Sequence, residues 1–166
     1  MGRLDPVTVS GHEPGCYRCP FCRLQRGIVS EHNRQSDVVA TTDLALALIS
    51  PKWWPANPGA ALVIPRKHHE NLYDLPRAIG HAMWDLVQDV AVAMRTAYTC
   101  DGISVRQHNE PAGGQDVWHL HVHVFPRHDG DRLYERDLEA RWVGTDERAR
   151  YARVLATELD RRRDVP

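Results

Sequence analysis

Residues 117–125 alternate with a period of two: Val117, His119, His121, His123 and Phe125 interleave with Trp118, Leu120, Val122 and Val124. Successive side chains of a β-strand point to opposite faces, so this register predicts a strand with two unlike faces. The even set is wholly apolar and reads as core, with Trp118 filling it. The odd set lines up three imidazoles, which along a straight strand stand roughly 6.5–7 Å apart, twice the rise per residue. Imidazole is largely neutral yet readily protonated near pH 7, so such a row implies proton handling, metal binding or nucleophilic attack. Convergence of all three on one metal is poor, because the outer pair would lie about 13 Å apart while zinc ligands sit about 2.0–2.1 Å from the ion. A split of roles is expected, with the central histidine reacting and its neighbours orienting it.

The flanking sequence supplies the other elements. Val38–Ala40 and Leu44–Ile49 read as strands around a tight turn, Ala61–Ile64 as a third, Ile103–His108 as a fourth and Val117–Phe125 as a fifth. Pro51 to Gly59 reads as a loop by its proline and glycine punctuation. Apolar residues at Ile79, Met83, Leu86, Val90, Met94 and Ala97 recur at three and four, predicting an amphipathic helix from Leu75 with Asp74 as its cap. Thr145 caps a second helix through Tyr151, Val154, Leu155 and Leu159. Short strands with segregated helices argue an α+β domain: an antiparallel sheet of about five strands, the long helix on one face and the histidines on the other. The expected organisation is a loosely draped arm over 1–15, a domain over 16–135 and a C-terminal extension with a helix over 136–166.

Composition narrows the function. A net charge of −1 gives no electrostatic footprint for polyanion binding, so no nucleic-acid partner is expected. The longest aliphatic run, Leu44–Ile49, cannot span a bilayer and residues 1–16 contain no apolar signal-like stretch, so a cytoplasmic place without membrane contact is expected. Cysteines at 16, 19, 22 and 100 suit metal binding better than a disulfide framework, and Cys16, Cys19 and Cys22 form overlapping Cys-x-x-Cys pairs.

His119-Leu120-His121-Val122-His123-Val124-Phe125 resembles the signature of the histidine triad (HIT) nucleotide hydrolases and transferases. The loop Asn109–Gln115 ahead of it looks like the family's Asn and Gly-Gln positions. Leu62-Val63-Ile64-Pro65 with His68, and Cys19-Pro20-Phe21-Cys22, look like two further family blocks. The resemblance covers roughly residues 19 to 130, and Pro126-Arg127 leans it toward the dinucleoside-polyphosphate hydrolases. It implies a two-fold homodimer and a structural zinc held by Cys19, Cys22, His68 and His119, a four-coordinate set with no open position.

The resemblance assigns the nucleophile to His121. A neutral imidazole nitrogen attacks the α-phosphorus of a nucleotide ester, anhydride or phosphoramidate, and a nucleotidyl-histidine splits one hard displacement into two easier ones. His123 is then placed to meet the phosphate or leaving group, and His119 to brace the row or hold zinc. Gln115, Gly114 and Asn109 are expected to contact phosphate oxygens, with Gln115 facing the site and burying little. Asp116 stands where many members carry Ser or Thr, and its even position turns it toward the side of Trp118. Ser50 or Asn57 is left for the ribose. Trp53-Trp54 offers base stacking, loop packing or dimer contact, and Arg127 either a polyphosphate contact or a carboxylate pair. His69, His81, His108 and His128 carry no individual signal. Two other nucleotide readings stay open, a regulatory nucleotide-binding protein with incidental hydrolysis and a nucleoside phosphoramidate hydrolase; a metal-dependent hydrolase using the histidine row is a further rival.

Overall fold

The computed structural model describes residues 11–163, so residues 1–10 of the expected arm lie outside the described part. The elements run α1 Pro20–Gln25, β1 Val38–Thr41, β2 Ala45–Ile49, β3 Lys52–Trp53, β4 Ala61–Pro65, α2 Arg77–Ala97, β5 Gly102–Gln107, β6 Val122–Arg127, β7 Arg141–Trp142 and α3 Thr145–Arg163. Five strands form one antiparallel sheet in the order β1-β2-β4-β6-β5, and β3 pairs with β7 in a separate two-stranded ribbon. The α+β architecture expected from the sequence is present.

The two central strands are buried throughout, and their alternation sorts side chains between two clusters. Ala45, Ala47, Ile49, Ala61 and Val63 pack with Leu120, Val122 and Val124 against the buried stripe of α2. Leu46, Leu48, Leu62 and Ile64 face the other way, against Phe21 and Leu24 of α1. Helix α2 buries Ile79, Met83, Leu86, Val87, Val90, Ala93 and Met94, and a buried aliphatic side chain contributes about 1.5–3 kcal/mol. Its N-cap is Pro76, which makes no side-chain cap. Asp74 therefore does not cap the helix: the fixed φ of proline starts it instead.

Helix α3 shares the α2-side core through Ala152, Leu155 and Leu159. Its Arg148, 2% exposed, grips Asp37 at the edge of β1, 0% exposed, through two N–H···O contacts of 3.0 Å. A third guanidinium nitrogen of Arg148 donates to the Val143 carbonyl, and Asp37 also accepts from the Arg34 backbone N–H at 2.9 Å. The buried pair is hydrogen-bonded on both sides, which offsets the cost of taking it out of water.

Three local expectations are corrected. The fifth strand starts at Val122 rather than Val117, so His119 and His121 precede it on irregular backbone and the histidines do not form a straight row. Trp118 is only half-buried and stacks on His12 at 5.7 Å instead of filling the core. The segment 51–59 is not all loop, because β3 lies inside it and delivers Trp53, 2% exposed, to the core.

Candidate active site and metal centre

The chain crosses from α1 to the segment before β6 with both ends of a metal-like cluster. Pro20 occupies the first turn of α1, and the Cys19 sulfur accepts from the Cys22 backbone N–H, which folds the two thiols onto one side. Cys19 Sγ lies 3.3 Å and Cys22 Sγ 3.6 Å from His119 Nδ1, and Cys22 Sγ lies 3.4 Å from His68 Nδ1. The far nitrogen of each imidazole is occupied. His119 Nε2 donates to the Pro65 carbonyl at 3.0 Å, and His68 Nε2 meets the Glu13 carboxylate at 2.8 Å. A ring that donates from Nε2 carries its lone pair on Nδ1, so both histidines turn ligating nitrogens toward the sulfurs.

The four donor atoms lie within 4.8 Å of one another. Tetrahedral zinc with these ligand types would hold them about 3.3–3.8 Å apart, so a contraction of roughly an ångström closes the set. Burial pushes the Cys19 thiol up to about 12, which keeps its proton at neutral pH unless a cation draws it off. Burial likewise pushes His119 down to about 4, favouring the neutral form a metal needs. The residues fit a closed structural site. Cys16 is exposed and outside the group.

On the far side of His119 the chemistry changes. His121, 3% exposed, donates from Nδ1 to the His119 carbonyl at 2.8 Å. That bond selects the tautomer whose Nε2 carries the lone pair. Burial lowers the His121 pKa, so this neutral form dominates near neutrality. His123 faces Leu62 and Arg106 across β4 and β6 and β5 and β6, with its ring 5.0 Å from that of His121. Burial holds His123 well below the usual histidine range, and its Nδ1 is buried without a hydrogen-bond partner. Both rings line a cleft of about 370 Å³ together with Phe21, Lys52, Arg106 and His108.

Several expected contacts are spent elsewhere. Gln115 is 5% exposed; its amide donates to the Glu70 and Val117 carbonyls at 2.6 and 3.0 Å and accepts from the Glu110 N–H at 2.8 Å. It clamps the loop, contrary to the expectation of a lightly buried residue facing the site. Asn109 is likewise bound within the protein, to Leu72 N–H and to Gln107. Gly114 lines the cleft at φ +85°, where a side chain would be strained, but its N–H goes to the Pro111 carbonyl. Asn57 bonds to Pro126 and Asp131, and Arg127 pairs with Asp131, so neither reaches the cleft. Asp116 does not point away: its Oδ1 lies 3.8 Å from His121 Nε2.

Other residues at the cleft were not among the expected site residues. Lys52, Arg106, His108 and Trp142 all line it. Arg106 had a usable signal, since it pairs with His123 in register once β5 is placed beside β6. Trp142 had none, because nothing local ties residue 142 to residue 52.

Comparison with known proteins identifies the fold and the family. Residues 31–130 match the HIT domain. A bis(5'-adenosyl)-triphosphatase of Dictyostelium discoideum is 30% identical over 116 residues, 65% of this chain and 76% of that protein. An adenylylsulfatase of Arabidopsis thaliana is 28% identical over 116 residues, 70% of this chain and 55% of that protein. The crystal structure of a Zn-bound histidine triad family protein from Mycobacterium smegmatis superposes with a TM-score of 0.74 at 27% identity, covering 90% of this chain and 98% of that one. With more than half of its length inside the matched domain, the chain belongs to the HIT domain family.

Proposed function

We propose that this protein is a nucleotidyl hydrolase or transferase that cleaves at the α-phosphate of a dinucleoside polyphosphate or nucleotide conjugate, with His121 as nucleophile. The observation that carries the reading is the His121 tautomer: Nδ1 is tied to the His119 carbonyl at 2.8 Å, which aims a neutral Nε2 at the cleft. In the first step an N–P bond forms at Nε2 as the α-phosphorus bond to the leaving group breaks. The leaving group takes up a proton from solvent on departure, and water then splits the N–P bond, its oxygen going to phosphorus and its proton to solvent, which releases the nucleoside monophosphate and restores neutral His121. His123, whose ring lines the cleft, is placed to contact phosphate, while Lys52 and Arg106 give the cleft its cationic wall. Gln115 and Gly114 hold a loop that borders the cleft, and Asn109 fixes that loop to Leu72.

Zinc at Cys19, Cys22, His68 and His119 would supply a structural crosslink between α1 and the approach to β6. His119 joins the two centres, since its ring belongs to the cluster and its carbonyl orients His121. A homodimer is supported by β5, an edge of the five-stranded sheet, and by exposed Leu72 and Trp84, which border one groove with Gln107 of β5; sedimentation at two concentrations tests it.

The decisive experiment incubates the protein with a panel of dinucleoside polyphosphates, nucleotide conjugates and phosphoramidates, with acid-stable and acid-labile adducts separated after a rapid quench. Release of nucleoside monophosphate with an acid-labile adduct on His121 is expected. Turnover without any adduct on this residue, or tight mononucleotide binding without turnover, overturns the reading.

A further inference from the structure

The cleft has a wall that the matched domain does not contain. Residues 31–130 carry the HIT match, yet Trp142 from β7 lines the same cleft as His121 and His123. Strand β7 reaches it by pairing with β3, where Lys52 faces Trp142 and Trp53 faces Arg141 in register. Residues directly opposite on an antiparallel pair put their side chains on one face, and Lys52 and Trp142 both border the cleft. The ribbon is firmly anchored. Trp53 sits in the core edge-on to Tyr151 of α3, and the Val143 N–H donates to the Pro51 carbonyl at 3.0 Å.

Trp142 nevertheless remains 56% exposed. The His32 ring covers part of the indole, with centroids 3.7 Å apart and planes inclined by 12°. An indole held on a rigid ribbon and backed by a second ring is a stacking platform that loses little freedom when a planar group arrives. Beside His32 in the chain, Asn33 also lines the cleft and is only 3% exposed. Its Oδ1 is buried with no hydrogen-bond partner. A buried acceptor left unpaired is costly, and a ligand N–H that reaches it recovers that cost.

We infer that Trp142 and Asn33 form a nucleobase subsite in which the indole stacks the base and the Asn33 carbonyl accepts from its 6-amino group, so that 6-aminopurines are selected over 6-oxopurines. The inference rests on the nucleotide reading above and adds the base class and the residues that choose it. Selection follows from chemistry at one position: the 6-amino group of adenine donates to Asn33 Oδ1, whereas a 6-oxo group would set two acceptors against each other.

Calorimetric titration of the full chain with AMP, IMP and ribose 5-phosphate tests this. The wild type should bind AMP more tightly than either of the others. Trp142→Ala should weaken AMP on the order of tenfold, the scale of one base–aromatic stack, and leave ribose 5-phosphate within twofold. Trp142→Phe should restore most of the AMP affinity, and Asn33→Leu should erase the preference for AMP over IMP. In the wild type, the adenine H2 and H8 resonances should also move upfield by the indole ring current, a readout that needs no variant. AMP affinity unchanged in Trp142→Ala, equal binding of AMP and IMP by the wild type, or unshifted adenine resonances each overturn the inference and leave the nucleotide reading standing. A wild type that binds none of the three ligands removes both.

Discussion

His119 turns Nδ1 toward two sulfurs at 3.3 and 3.6 Å, whereas His123, four residues on, keeps Nδ1 buried without a partner beside the cleft. The two share a residue type and an odd register and stand four residues apart on one segment. They differ in what occupies the other elements around them: the thiols of α1 at one end, the cations and aromatics of β3, β5 and β7 at the other. Ring-nitrogen partners, more than spacing along the strand, set the two imidazoles apart. His121 lies between and depends on both, with its backbone neighbour in the metal-like cluster and its Nε2 in the cleft.

The sharpest way to break this division is His121→Ala. Release of nucleoside monophosphate should fall by more than about a thousandfold, the scale on which a covalent nucleophile acts, with nucleotide affinity within a few-fold. Wild-type turnover in that variant would show that the reactive end has been misplaced. Cys19→Ala with Cys22→Ala probes the other end. A closed structural site should cost about 3 kcal/mol or more when removed, roughly 6–12 °C in melting temperature for a chain of this size. Specific activity of the folded fraction should change much less. Elemental analysis of wild-type material prepared without chelator should find zinc, up to one ion per chain, and a zinc-free protein of unchanged melting temperature would count against the cluster.

Acid separates the ends by titration. Burial lowers His119 to about 4 and also lowers His121 and His123 in the folded state, against about 6.5 in the unfolded chain. The unfolded chain therefore binds protons first, and stability falls as pH drops below about 6.5, levelling off for His119 only below about 4. Melts of chelator-treated protein from pH 7.5 downward should show this decline, with a shallower slope in His123→Asn; a flat profile would contradict the buried neutral histidines. The smallest expected effect belongs to Asp116, whose carboxylate lies 3.8 Å from His121 Nε2. It is well exposed, so repulsion of an incoming phosphate is near 1 kcal/mol, and Asp116→Asn should lower KM about fivefold. A raised KM would mean that the carboxylate helps to bind substrate.

Much of this was legible because the signals were local. The α2 stripe follows from one helical period, and Cys19, Cys22, His68 and His119 follow from the family resemblance, since each sits in its own short motif. What failed was long-range or depended on a bend. The alternation from Val117 to Phe125 looks like one strand, but the chain turns before Val122, and this frees Trp118 from the core and swings Asp116 toward His121. The polar loop 109–116 looked like a donor array, yet a loop with φ values of 62° at Glu110 and 85° at Gly114 needs Gln115 to hold its own backbone. Trp142 could not be read at all, because the β3–β7 pairing joins residues ninety positions apart without a periodic signal.

The Asp37–Arg148 pair carries a consequence for biosynthesis. Asp37 is buried at the sheet edge, while its counter-charge is synthesised 111 residues later. A nascent chain that stops before residue 148 would have to bury a lone carboxylate, at a cost of about 3–5 kcal/mol, a large fraction of the whole stability of a small domain. A nascent chain therefore gains the full stability of this core only once residue 148 has been added, and products that end before it should be open to proteases.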